Sequence, residues 1–204
     1  MIRPGRILTS LPLLLLLTGC SDTPEPAAER RRLPEPISAE SAFYKMLISA
    51  RSWAADAQPL RVAQIDVDEM KADGGKAAAW EAIFVSSSQR SSRRYIYSVI
   101  HRPARNLRGG VNAEPPEGWS GGGGSEPFLA QAFRTDSPAA YAVAMKQGRD
   151  YARKNRDKPV KFLLEKTARF PDPVWRVFWG ESVSTSAYSI FVDAVTGQYL
   201  STGR

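Results

Sequence analysis

The sequence predicts an α+β fold made of two tandem modules, each with one helix packed on a three- to four-stranded antiparallel sheet. Two observations predict it. Apolar residues at helical spacing precede strand-like runs in residues 39–101, and the same order recurs in residues 137–204. Proline and glycine concentrate in residues 102–136, which is the composition of a linker. Because an internal repeat decides the architecture of a chain, we expect two copies of one unit.

The first module begins with an amphipathic helix that starts at Ser38 or Ser41 and that Pro59 ends. Its apolar residues recur at helical spacing and define one face: Phe43, Met46, Leu47, Ala50, Trp53, Ala54 and Ala57. Strands follow at residues 60–68, 78–86 and 94–101, and the last two are joined by a polar hairpin tip at 87–93. This module is therefore one helix and three strands.

The second module repeats this order. Ser137 is the predicted cap of its helix, with Pro138 at the first helical position, which proline favours. Pro159 ends the helix, and strands follow at residues 160–167, 174–181, 188–192 and 198–200. The tryptophan-rich strand of the second module parallels the strand that begins near Trp80 in the first. Since a chain of about 60 residues buries only about 60% of its unfolded surface, we expect the two modules to pack together.

The composition excludes most metal and nucleophile chemistry. The chain has one cysteine and one histidine, so a disulfide within it is impossible and a catalytic triad would have to use His101. A zinc site usually needs several Cys or His ligands. We therefore expect no enzyme, no catalytic residue, no metal and no cofactor, and a protein that acts by binding.

Residues 1–19 have the layout of a secretory signal peptide. Arg3 and Arg6 precede an apolar run over 7–17, which is shorter than the roughly 20 residues of a membrane span. The sequence Leu-Thr-Gly-Cys that ends at Cys20 resembles the lipobox of bacterial lipoproteins. The resemblance implies cleavage before Cys20 and attachment of diacylglycerol to it. The alternative is an ordinary signal peptide followed by an unrelated cysteine.

Two or three acyl chains on Cys20 would anchor the protein stably, because each buried methylene contributes about 0.8 kcal/mol and a single chain binds only marginally. The residue after the cysteine is Ser21 and not Asp. By resemblance to enterobacterial sorting, this favours the outer membrane over retention at the inner membrane, with the protein facing the periplasm. Residues 20–38 then form a tether, since four prolines and little apolar surface follow the cysteine. The net charge of the chain is +7. Because the protein is expected to be exported, we do not expect nucleic acid to be the partner that this positive charge attracts.

The basic excess lies in the second module, where Lys146, Arg149, Arg153 and Arg156 form a helical stripe opposite the apolar face, joined by Lys154 and Lys158. The candidate partner-binding residues of this group are Lys146, Arg149, Arg153 and Lys154. Such a stripe binds an acidic partner or a phosphate-bearing surface, or it is a solvated helix face. Lys161 is assigned to the same basic group. Trp175 and Trp179 are added as candidate contacts because aromatic residues occupy both faces of their strand, although the first module is the alternative cover.

Residues 173–179 and 188–200 resemble PepSY-type modules, in which a helix precedes a strand that ends in Val-Asp-Ala-x-Thr-Gly and leads to a short exit strand. The motif stands here at residues 192–197. The first module departs from it, with Val-Ile-His-Arg-Pro at residues 99–103, and is at best a degenerate copy. The resemblance implies a small non-catalytic envelope domain that binds or restrains a partner such as a secreted peptidase.

The leading hypothesis is a lipid-anchored envelope protein that acts as a non-catalytic interaction module. One alternative is a periplasmic carrier or sensor that binds an apolar or anionic small ligand between helix and sheet, in a cavity lined by Trp175, Trp179 and Tyr141. Another is an envelope hydrolase, which needs convergent carboxylates with perturbed pKa values in a cleft.

Overall fold

A computed structural model describes residues 34–203, with Arg105 described by its backbone alone. The predicted signal peptide, Cys20 and the predicted tether up to residue 33 lie outside the described residues. Within 34–203 there are three α-helices, α1 (Ala39–Trp53), α2 (Ser137–Gln147) and α3 (Arg149–Lys154), and two 3-10 turns, Pro103–Arg105 and Ala130–Ala132. The strands are β1 (Ile37–Ser38), β2 (Gln58–Ile65), β3 (Lys76–Ala77), β4 (Ala79–Ser86), β5 (Ser91–Ser98), β6 (Gly110–Ala113), β7 (Glu117–Gly118), β8 (Ser125–Glu126), β9 (Val160–Thr167), β10 (Val174–Trp179), β11 (Tyr188–Asp193) and β12 (Tyr199–Gly203).

One antiparallel sheet runs through both modules in the order β12-β11-β10-β9-β2-β4-β5-β6, with the short strands β7 and β8 on β5 and β9. The two halves meet where β2 pairs with β9. Arg61 lies opposite Glu165, Val62 opposite Leu164 and Ala63 opposite Leu163. The predicted α+β fold of tandem helix-plus-sheet modules is confirmed, and the two half-sheets are continuous.

The repeat extends to the contacts of one tryptophan in each module. Trp80 on β4 lies opposite Gln64 of β2, and Trp175 on β10 lies opposite Leu164 of β9. The Trp80 indole donates to the carbonyl of Ile37 at 2.9 Å, and the Trp175 indole donates to that of Thr135 at 2.7 Å. Ile37 and Thr135 each precede the residue that caps a helix. Each indole therefore ties the start of its own helix to its own half-sheet.

All three helices lie on one side of the sheet, where they enclose the main apolar core. Its largest buried side chains come from both modules: Phe43, Trp80, Phe84, Tyr95, Phe133, Trp175 and Trp179. Phe133 joins the modules directly, because its ring lies 5.1 Å from that of Phe43 and 5.5 Å from that of Trp175. None of the helices in residues 34–203 is long and apolar enough to span a bilayer.

Residues 102–136 are structured, which corrects their interpretation as a linker. They contribute β6, which is the fourth strand of the first half-sheet, and they bury Phe128, Ala130 and Phe133. The glycines and prolines mark the turns of this segment. The apolar residues at its end, Phe128, Leu129, Ala130, Ala132 and Phe133, form a run too short to show a helical or strand period, so the sequence pattern did not reveal which of them are buried.

The N-termini of α1 and α2 meet and share their caps. The Ala39 N–H donates to Ser137 Oγ at 2.9 Å, and the Glu40 N–H donates to Asp136 Oδ1 at 2.9 Å. The same Asp136 oxygen accepts the Ser137 N–H at 2.6 Å. Asp136 rather than Ser137 is thus the N-cap of α2, and it satisfies amide donors of two helices. Partial burial, followed by the charge of Asp136, raises the pKa of Glu40.

The loop between β2 and β3 closes over this junction. A Cβ on Gly75 would lie 2.5 Å from the Ser137 carbonyl oxygen, and its φ of +83° is unfavourable for other residues. The predicted second helix is also divided, since it breaks at Gly148 into α2 and α3. At Gly148 a Cβ would lie 3.0 Å from the Trp179 ring. The chain therefore passes closer to the core there than a side chain allows.

Replacement of Asp136 by Ala should weaken both helix starts. We expect Asp136→Ala to lower the free energy of unfolding by about 2 kcal/mol, at the upper end for a lost cap, because two helices lose an acceptor. Asp136→Asn keeps an oxygen acceptor and should lose much less. Urea unfolding followed by circular dichroism measures both, and equal losses for the two variants would contradict the shared-cap interpretation.

Candidate functional site

The candidate site is the side of the sheet that faces away from the helices, which we name the open face. Successive strand residues point to opposite sides, so the neighbours of the core residues turn toward it. Across the centre these are Arg61, Ala63, Glu81, Lys161, Leu163, Arg176 and Phe178. No α-helix of the described chain covers this side. An antiparallel sheet commonly leaves such a face to water or to a partner.

A groove of about 440 Å³ lies on the open face where β2 and β9 join, and we name it the seam groove. Its floor is apolar and is formed by Ala63, Leu163 and Phe178. The loop between β10 and β11 forms one wall and packs Val183 against this floor. Arg61 and Glu81 line the groove as well. Both modules contribute residues, so the groove exists only because the half-sheets are joined.

Arg61 carries a hydrogen-bond donor that the fold leaves open. Its Nε is buried and finds no acceptor among the described residues. Its Nη2 lies 3.7 Å from Glu81 Oε1, which is a loose ion pair. Glu81 is more tightly engaged by Arg94, whose Nε donates to it at 2.8 Å. The Arg61 side chain as a whole is 40% exposed, so its loosely paired guanidinium group, rather than the buried Nε, is what a ligand can reach.

Arg94 fixes the charge of this part of the open face. It also donates through Nη1 to Glu114 Oε1 at 3.0 Å. Partial burial alone would lower the pKa of Arg94, but the hydrogen bond to Glu81 and the charges of Glu81 and Glu114 together raise it. The negative charges of Glu81 and Glu114 are thus largely matched by Arg94 and Arg61.

Lys161 closes the other end of the groove. Its Nζ donates to the Glu181 carboxylate at 2.9 Å and to the Glu181 carbonyl at 2.6 Å, and it also pairs with Asp66. Burial alone would lower the pKa of Lys161, yet the hydrogen bonds to Asp66 and Glu181 raise it. Lys161 therefore fastens the loop wall to β9. Its assignment to the basic helical stripe is wrong, because strand alternation turns it to the open face.

Toward the β11 side the open face continues as a stack of cations on aromatic rings. The Arg176 guanidinium donates to Ser189 Oγ at 3.0 Å and lies 5.7 Å from the centre of the Phe191 ring. Arg169 lies 4.8 Å from the same ring. Burial lowers the pKa of Arg176, Glu165 opposes the change and Arg169 adds to it. This end of the open face is therefore partly apolar and partly basic.

A second cavity of about 540 Å³ lies beside the seam groove, between the β2–β3 loop, Tyr141 of α2 and the segment that leads into β9. Both acidic and basic side chains line it. Gln64 donates to Asp66 at 2.9 Å, but its buried Oε1 has no donor among the described residues. We name it the polar cavity. Residues 34–203 contain no group of three His, Cys, Asp or Glu placed to hold a metal ion.

The structure separates the predicted partner-binding residues into two groups. Lys146 at the end of α2 and Arg149, Arg153 and Lys154 of α3 are exposed, on the helix side of the protein. Arg153 pairs with Asp150 at 3.1 Å, and the break at Gly148 interrupts the continuous stripe that the sequence predicted. None of the four lies on the open face.

Trp175 and Trp179 are core residues rather than partner contacts. They are 0% and 1% exposed, so neither ring reaches the surface. The helices of their own module cover them: the Trp179 ring contacts Tyr151 at 5.9 Å. The predicted alternation was right in placing Phe178 on the opposite side. It is Phe178, with Arg61, that belongs to the candidate site.

Comparisons with known proteins do not assign the chain to a family. No protein-family model matches it, and no curated protein matches it. Among solved structures, the chain is similar to a protein from Clostridium difficile 630 that is described as a candidate lipoprotein. The identity is 10%, the match covers 85% of this chain and 95% of that chain, and the TM-score is 0.46.

Removal of the Lys161 ammonium should release the loop wall. We expect Lys161→Met to lower the free energy of unfolding by about 1.5–3 kcal/mol, the range for hydrogen bonds that involve a charged group. Its larger effect should be faster amide hydrogen exchange over residues 181–186, because Glu181 loses its anchor. Hydrogen exchange with mass spectrometry measures this directly.

Lys166→Met is the matched control, since Lys166 also lies on β9 and pairs with Glu126 at 3.1 Å, away from the loop. It should leave exchange over residues 181–186 unchanged. Unaltered exchange in Lys161→Met would show that the loop is held by other contacts.

Proposed function

We propose that the protein is a lipid-anchored interaction protein of the bacterial cell envelope, which binds another envelope protein on its open face without catalysis. The observation that carries the proposal is the seam groove: an apolar floor that no α-helix of the described chain covers, with the loosely paired and 40% exposed Arg61 side chain beside it. A partner that inserts an apolar side chain over Phe178 and presents an oxygen acceptor to Arg61 would satisfy both features.

The size of the open face suits a protein. Eight adjacent strands at about 4.8 Å give a width of about 38 Å. Six of them have six to eight residues and are about 20–26 Å long, whereas the outer strands β6 and β12 have four and five residues. The resulting area is of the order of 800 Å², which is what one partner contributes to a standard protein interface. The groove holds only a few side chains, so it would serve as the central anchor of such an interface.

The membrane anchor and the class of partner rest on the sequence. The lipobox resemblance at Cys20 implies lipidation, and the PepSY-like C-terminal half points to an envelope partner such as a secreted peptidase. In the structure the motif forms a local turn, in which Asp193 Oδ1 accepts the N–H groups of Val195 and Thr196 at 2.7 and 2.9 Å. The Val-Asp-Ala-x-Thr-Gly turn is thus closed by its own aspartate before β12 begins.

A second candidate function is binding of a small polar ligand in the polar cavity. The buried Gln64 Oε1 favours it, because an acceptor without a donor suits a ligand with an N–H or O–H group. Tyr141 lines this cavity, whereas Trp175 and Trp179 do not. The ligand of this function would therefore be polar, in contrast to an apolar molecule held between helix and sheet.

Site-specific photocrosslinking in intact cells tests the leading proposal. A photoreactive residue at Ser184, which is exposed on the groove wall, should crosslink the tagged full-length protein to an exported protein that mass spectrometry identifies. Arg61→Glu should reduce this crosslink at least severalfold, since the open donor is replaced by an anion. Arg90→Glu, an exposed change at the β4–β5 turn, is the charge-matched control and should keep it.

Two results would contradict the proposal. One is a crosslink that survives Arg61→Glu at full strength, and the other is the absence of any crosslink at Ser184 in cells where a known envelope pair crosslinks efficiently. The same sample tests the anchor, because the N-terminal peptide should carry acyl chains on Cys20, and Cys20→Ala should remove them.

A further inference from the structure

The solvent side of the helices has a chemistry that the open face lacks. We name it the helix surface, formed by the exposed residues of α1, α2, α3 and the adjoining segment at Leu129. The three helices contain six basic residues and two acidic ones: Lys45, Arg51, Lys146, Arg149, Arg153 and Lys154 against Glu40 and Asp150. Within the described chain, Asp150 forms an ion pair with Arg153 of the same helix, whereas Glu40 forms none with a basic residue of these helices. The helix surface thus has a clear positive excess.

Large apolar side chains are exposed on the same surface. Ile48 is 71% exposed and Tyr44 is 44% exposed, and they lie one turn apart on the outer side of α1. Leu129 is 63% exposed and precedes a 3-10 turn whose Ala130 packs into the helix-side core. These are three of the five large apolar residues that the described chain exposes. Apolar residues among cations are typical of a surface that lies at a lipid headgroup layer.

The open face differs in both respects. Its five cations within the described chain, Arg61, Arg94, Lys161, Arg169 and Arg176, are balanced by the five carboxylates of Asp66, Glu81, Glu114, Glu165 and Glu181. Its apolar floor is recessed: Ala63, Leu163 and Phe178 are 8%, 5% and 5% exposed. Long-range attraction to an anionic surface therefore acts on the helix surface rather than on the open face.

We propose that the helix surface docks on an anionic phospholipid bilayer, with Lys146, Arg149, Arg153 and Lys154 over the phosphates and Ile48, Tyr44 and Leu129 among the headgroups. The proposal rests on the lipid anchor of the proposed function, which would hold the domain near such a bilayer. Docking by this side turns the open face away from the membrane, toward a protein partner.

The chain between the anchor and the domain is long enough for this orientation. Fourteen steps separate Cys20 from Pro34, and the proline-rich composition predicts a reach of up to about 43 Å at about 3.1 Å per residue. The chain enters the domain at β1, directly before α1 and beside the start of α2. From there α2 and α3 extend for about 27 Å at about 1.5 Å per residue. The whole helix surface can therefore lie against a bilayer.

Headgroup quenching of a fluorescent label tests the orientation. The full lipidated protein is reconstituted in vesicles of phosphatidylcholine, alone or mixed with phosphatidylglycerol, that carry a quencher at the headgroups. One variant has the label at Ser52→Cys on α1 and another at Ser184→Cys on the open face, both exposed positions. Since lipidation blocks Cys20, the introduced thiol is the only one available. We expect phosphatidylglycerol to increase quenching severalfold at Ser52 and to leave Ser184 unchanged, and salt to reverse the increase.

Charge reversal identifies the residues responsible. Lys146→Glu with Arg149→Glu should abolish the increase at Ser52. Lys71→Glu with Arg108→Glu changes the net charge equally at exposed positions outside the helices and should retain it. Equal quenching at Ser52 and Ser184 in both kinds of vesicle, or an increase that survives Lys146→Glu with Arg149→Glu, would overturn the proposal. Failure of the protein to float with phosphatidylcholine vesicles would instead overturn the lipid anchor, independently of the helix surface.

Discussion

The pairing of β2 with β9 is the interaction on which the rest of the structure depends. Each module alone would be a short chain with a small core and would bury only about 60% of its unfolded surface. Each would also expose β2 or β9 as an edge strand, with unpaired N–H and C=O groups. The pairing of β2 with β9, which places Val62 opposite Leu164, removes both edges and joins the half-sheets into one sheet. Phe133 and the shared caps of Asp136 and Ser137 connect the modules again on the helix side.

This joining also creates the candidate site. The floor of the seam groove takes Ala63 from the first module and Leu163 and Phe178 from the second. Arg61 comes from the first and the Lys161 clamp from the second. The two sides of the sheet then differ in chemistry: the open face is recessed and largely charge-paired, whereas the helix surface is basic with exposed apolar residues. With the proposed lipid anchor and the proposed docking of the helix surface, one side would contact a membrane while the other contacts a partner.

Much of the fold follows from local patterns in the sequence. The helical spacing of Phe43 and Met46 and the recurrence of one element order predicted the helices and the repeat, because amphipathic periods are set by local geometry. The pairing of β2 with β9 had no such signal, since it joins residues about a hundred positions apart. The burial of Phe133 was hidden for a related reason: it depends on contacts with residues distant in the sequence, Phe43 and Trp175.

The candidate site was harder to predict than the fold. Alternation along 175–179 placed Phe178 and Trp175 on opposite sides of the strand. Which side the helices cover depends on the tertiary fold. Trp175 and Trp179 were therefore predicted to be partner contacts, although the helices bury them. In the sequence Lys161 looks like any exposed lysine. Only its register on β9 brings it to Asp66 and Glu181. The open donor of Arg61 and the open acceptor of Gln64 depend on which atoms are buried, which no residue pattern records.

Native-state hydrogen exchange at increasing urea tests most directly whether the joined sheet makes the two modules one cooperative unit. The slowest amides of β4 in the first module and of β10 in the second should converge on a single unfolding free energy with the same dependence on urea. Convergence on two different values, with one module opening while the other stays protected, would show that the β2–β9 pairing does not hold the structure together.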